Sequence, residues 1–144
     1  MKTRNKPPRA WSDWHVASHL AFVPAVLWAA GRRPVFWELL VLLLPVVVCS
    51  TAYHRQREPR GSLIARLDCG FAYVLYAYGL AQAWAAAGAW RAMYVAGAAL
   101  VALTHVFGIL RPASWERTHS WGMHVAPGAW CLAVAVRGAP LFVW

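Results

Sequence analysis

Val46-Val47-Val48-Cys49-Ser50-Thr51-Ala52-Tyr53-His54-Arg55 decides how this chain is read. It closes an apolar run that begins at Val35, and it places a serine and a histidine four residues apart, on one face of a helix. Polar side chains inside a membrane helix are expensive, which makes Ser50 and His54 functional candidates. A short basic stretch, Arg55 to Ser62, follows, and Asp68 stands in the first turns of the next apolar run. Two helix ends meeting at that turn can bring Ser50, His54 and Asp68 together.

The composition sets the solvent. Of 144 residues, 60% are hydrophobic and only 13% charged, the balance of an integral membrane protein rather than a water-soluble domain. A formal charge of +9 would suggest nucleic acid in a soluble protein. Here the basic residues fall mostly between the apolar runs, where they set topology and meet anionic headgroups, so no nucleic-acid partner is expected. Cys49, Cys69 and Cys131 lie inside apolar runs without CxxC spacing and read as small membrane-buried residues. The first apolar run carries Asp13, His15 and His19 and ends in Gly31-Arg32-Arg33-Pro34, with no small-residue cleavage pattern, so a retained helix is expected rather than a cleaved signal.

A membrane-spanning helix needs about 20 mostly apolar residues. On that rule the spans run from Trp14 to Ala30, Val35 to His54, Ile64 to Trp84, Trp90 to Leu110 and His119 to Val136. Pro45 is expected to kink the second, Ala85-Ala86-Ala87-Gly88-Ala89 breaks the third from the fourth, and Arg111 to Arg117 is a loop. The expected fold is an all-α integral membrane helical bundle of about five transmembrane helices, one domain over residues 1–144.

Five spans put the termini on opposite sides. With the N-terminus inside, one face holds Lys2, Arg4, Lys6, Arg9, Arg55, Arg57, Arg60, Arg66, Arg111 and Arg117, and the other only Arg32, Arg33, Arg91 and Arg137. The excess predicts a cytoplasmic N-terminus and an outside C-terminus, in the plasma membrane of a bacterium. The same topology gathers His15, His19, His54, His105, His119, His124 and Asp68 in the inner half.

Imidazoles from several helices plus a carboxylate are the ligand vocabulary of zinc, whose catalytic sites keep one position open. Asp68 then acts as general base and Ser50 as an orienting group, a site suited to ester or amide hydrolysis. Two further readings stay open: a b-type haem held by two facing histidines, and a structural membrane protein with a vestigial site.

Ser50-Thr51-Ala52-Tyr53-His54, Asp68 and Thr118-His119-Ser120-Trp121 together resemble the CREST superfamily of membrane hydrolases, which includes alkaline ceramidases, the progestin and adipoQ receptors and myomaker-like proteins. The resemblance implies a zinc site with His54, His119 and His124 as ligands, Asp68 and Ser50 as catalytic residues, and a membrane lipid as substrate. The chain departs from the family in two ways. It has five spans where the family has seven, and four residues separate His119 from His124 where the family has three. In a regular helix that step turns the pair about 140° apart. His15 and His19, at i and i+4 on the same side, are possible additional ligands.

Overall fold

The apolar runs fold as helices between the breakers that the sequence supplies, and the computed structural model is an all-α bundle. It describes residues 7–59, 61–111, 118–139 and 141. Lys2, Arg4, Lys6, Arg60, Arg117 and most of the expected 111–117 loop lie outside the described residues.

Three helices are long and apolar enough to cross a membrane: Trp37–Gln56 (α3), Leu63–Ala85 (α4) and Gly88–Leu110 (α5), so the chain is a membrane protein. Each ends for a local reason. After α3, Arg57 turns left-handed at φ 54° and its N–H donates to the Tyr53 carbonyl. At the start of α4 the Ser62 hydroxyl accepts from the Ala65 N–H at 3.2 Å, as an N-cap residue does. Between α4 and α5, Gly88 at φ +56° turns the chain, and Arg91 caps the end of α4 by donating to the Ala86 carbonyl at 2.8 Å.

The first and last passes, expected as full membrane spans, are helical in shorter segments than these three and change helix type at their histidines. The first runs from α1 (Trp14–Ala17) through a 3₁₀ segment (Ser18–Phe22) into α2 (Val23–Gly31). The last runs through a π turn (Ser120–Val125) into α6 (Ala126–Arg137). A proline explains each change. Pro24 and Pro127 have no N–H to offer the carbonyl four residues back, so the ladder must rearrange upstream. The Leu20 carbonyl takes a 3₁₀ bond from Val23, and the Ala126 N–H reaches back five residues to Trp121.

The core lies along the inner faces of these passes, with Phe22, Ala29, Leu39, Leu43, Tyr94 and Val134 essentially buried. Leu20, Leu27, Val41, Val48 and Leu103 point outward, as suits a hydrocarbon solvent. The Trp130 ring fits against Gly79 and Gly97, where an added methyl would collide with the ring at Gly79 and stand 3.0 Å from it at Gly97. At the end of the bundle away from the 55–62 turn, Tyr78 donates to the Glu38 carboxylate (2.9 Å) and Gln82 donates to Tyr78 (2.8 Å). The tail closes this group: Leu141 N–H donates to Glu38 (2.8 Å), and Gln82 donates to the Ala139 carbonyl (2.7 Å). The three cysteines are free thiols. Cys131 is buried and Cys49 half-buried, but Cys69 faces outward rather than into the protein.

Candidate metal centre

Five of the six histidines converge at the opposite end of the bundle, two from the first pass, one from α3 and two from the last pass. Their ring centres are separated by 4.4 Å (His15–His54), 5.4 Å (His15–His119), 5.3 Å (His19–His54), 3.8 Å (His19–His124), 4.9 Å (His54–His119), 5.2 Å (His54–His124) and 4.9 Å (His119–His124). Two imidazoles sharing one tetrahedral zinc at the usual nitrogen distance have ring centres about 5 Å apart, so most of these pairs are at ligand spacing. His105, on α5, belongs to neither trio described below.

The π turn resolves the awkward step from His119 to His124. A five-residue spacing splits two side chains across a regular helix, whereas one i→i+5 turn returns the chain to the same side. Gly122, inside that turn, leaves no room for a side chain against Thr104 of α5, so the widened turn seats closely on its neighbour.

Serines hold the outer faces of the rings across the seam between first and last passes. Ser18 Oγ lies 2.7 Å from His124 Nδ1, and Ser120 Oγ lies 2.8 Å from His15 Nδ1. Each pass thus steadies a histidine of the other. Ser18 also donates to the His15 carbonyl at 3.3 Å. The short contact with Ser18 fixes Nδ1 of His124 and turns its Nε2 inward. Nε2 of His124 is buried with no hydrogen-bond partner. A buried ring nitrogen without a partner, with the other ring nitrogen fixed by a hydrogen bond, is how a metal-ligating histidine is prepared.

Ser50 and Asp68 stand beside the rings, where the sequence places them. Ser50 is 4% and Asp68 8% exposed. His19 Nδ1 donates to the Val16 carbonyl at 2.9 Å, and its Nε2 lies 2.8 Å from Ser50 Oγ. Ser50 is also hydrogen-bonded to Asp68, which links the carboxyl group to the cluster. Above the rings, the 7–13 segment crosses the end of α3: Arg9 N–H donates to the Arg55 carbonyl at 2.8 Å, and Arg55 stacks on Trp11 at 4.5 Å. Arg9 pairs with Asp13 at 3.1 Å. Burial alone would raise the Asp13 carboxyl, but the His15 N–H and Arg9 outweigh it and hold it below its ordinary value.

The imidazole nitrogens close into two trios that could hold a metal ion, each within 4.8 Å: His15–His54–His119 and His19–His54–His124. His54 belongs to both. By ring centres the trio His54–His119–His124 is the most even, yet ligation depends on nitrogens, and these divide His119 from His124 between the two sets. Ser18 and Ser120 are absent from the sequence-based site. Their signal is a serine one helical turn from a histidine in each of the two passes, at His15 plus three and His124 minus four. Comparison with protein-family models, with curated proteins and with solved structures finds no match.

Proposed function

We propose that this chain is a membrane-embedded, metal-dependent hydrolase acting on an ester or amide bond of a lipid. The observation that carries the reading is the buried, unpartnered Nε2 of His124, set among four other imidazoles with Ser50 and Asp68 alongside. Neutral nitrogen donors at this spacing suit zinc. His54 would hold the ion in either trio, with its partners drawn from His15, His19, His119 and His124. A bound zinc supplies a Lewis acid toward a carbonyl oxygen.

The chain's own residues would do the rest. Asp68 holds or takes a proton next to the reacting carbonyl, and Ser50 relays its orientation to the rings. The apolar outer surface suits a substrate that arrives through the bilayer. The resemblance to CREST hydrolases at Ser50, His54, Asp68, His119 and His124 supports the same chemistry. A haem reading draws no support from the packing, because the His19 and His124 rings are 3.8 Å apart, in direct contact, with no slot for a macrocycle between them.

The test is elemental analysis of the purified protein together with turnover of fluorogenic lipid esters and amides in micelles. Zinc should co-purify with the parent and be lost from His54→Ala, and Asp68→Asn should keep zinc but lose turnover. A parent that binds no zinc, or an Asp68→Asn variant with full turnover, would sink the proposal.

A further inference from the structure

The two trios lie at different depths. From His15 to His19 is four residues and from His119 to His124 is five, so the second member of each pair leaves the backbone about one turn further into the bundle. Burial follows the same order. His15 and His54 are 6% and 8% exposed and His119 is only half-buried, whereas His19 and His124 are 3% and 2% exposed. Ser50 and Asp68 belong with the deeper set, through the bond from Ser50 to His19. His54, at the end of α3, is the one ring common to both depths.

Five neutral imidazoles bring no negative charge. Two divalent ions sharing His54 in a poorly screened interior would repel strongly, with Asp68 the one carboxylate bonded into the set among the described residues. One ion at a time is the arrangement that the charge balance permits. A hydrated ion arriving from water cannot reach the deep trio in one step, because its waters must be replaced ligand by ligand. At the mouth, the charge of Arg9 is offset by its pairing with Asp13.

Resting on the metal-site reading above, we infer that the cluster is two stations in series for a single metal ion. The outer trio His15–His54–His119 takes the ion from water, the inner trio His19–His54–His124 keeps it, and His54 passes it between them. Seating in the inner trio requires His19 to give up its bond with Ser50, which leaves the Ser50 hydroxyl beside the ion's resting place. The inner station is thus the one next to Ser50 and Asp68, and the outer station is a loading site.

The experiment uses the full chain in detergent, stripped with chelator and reloaded with Zn²⁺ or Co²⁺. Elemental analysis gives the stoichiometry, competition against a chromogenic chelator gives the affinity, and stopped-flow absorption of Co²⁺ gives the loading rate. The parent should bind one ion per chain. His15→Gln should slow loading about tenfold or more while changing affinity less than about threefold, and His124→Gln should lower affinity about a hundredfold. Far-UV circular dichroism checks that each variant folds. Should His15→Gln fail to fold, Ser120→Ala leaves His15 in place without its serine bond and carries the same expectation of slow loading. Two ions per chain would overturn the series arrangement. So would a His15→Gln variant, or its substitute, that loads at the parental rate or loses as much affinity as His124→Gln. A parent that binds neither metal would overturn the metal-site reading itself and this inference with it.

Discussion

Gly128→Ala tests how tightly the first and last passes must meet for the histidines to face one another. A methyl at Gly128 would lie 2.6 Å from the Ala21 carbonyl oxygen, 2.7 Å from its carbon and 2.9 Å from the Ala21 methyl. Ordinary contact begins near 3.4 Å, so the passes must part by about 0.8 Å, and backbone on both sides leaves no side chain to swing away. The separation falls between His19 and His124, where the Ser18 to His124 bond is 2.7 Å and the Ser120 to His15 bond 2.8 Å. Stretching both past about 3.5 Å forfeits them. Overpacking and two weakened buried hydrogen bonds together come to about 2–4 kcal/mol. Because metal sites tolerate only about 0.2 Å of misplacement, zinc affinity should fall about tenfold or more.

The assay is reversible unfolding in mixed micelles, followed by circular dichroism, alongside chelator competition for zinc. Gly70→Ala is the matched control, since nothing lies within 4 Å of a methyl there. The same substitution at that exposed site in α4 should be neutral or stabilise by up to about 1 kcal/mol. If Gly128→Ala unfolds with Gly70→Ala and binds zinc like the parent, the close seam is not what aligns the rings.

Ser18→Ala should lower zinc affinity about 10–100-fold by releasing His124, as chelator competition would read; unchanged affinity would mean the serine is incidental. Ser120→Ala, acting on His15, should instead slow metal loading in stopped flow. Tyr78→Phe leaves Glu38 and Gln82 each short of a partner, so it should cost about 1–3 kcal/mol in unfolding with zinc affinity unmoved, because that group sits at the far end of the bundle.

The helix ends were legible because a bilayer leaves little choice: apolar runs bounded by Gly31-Arg32-Arg33-Pro34, by the 55–62 turn and by Ala85-Ala86-Ala87-Gly88-Ala89 end as helices within or next to those stretches. The meeting of Ser50 and Asp68 was legible for the same reason, as residues flanking one tight turn. What spacing alone concealed was helix type. Counting at 100° per residue sets His119 and His124 apart, and only the rearrangement ahead of Pro127 brings them together. The part played by the first pass was harder still. His15 and His19 are an ordinary i, i+4 pair in sequence, and nothing local says that their partners lie on the last helix.

The reciprocal serine bonds also order events during synthesis. Ser18 and His124 are 106 residues apart, and His15 and Ser120 are 105. A ribosome delivers the first helix to the membrane long before it has made the last, so His15, Ser18 and His19 wait among lipids and earlier helices with their final partners still unmade. No shortened nascent chain can assemble the centre. The cluster is completed only when the helix that carries Ser120 and His124 threads in beside the first.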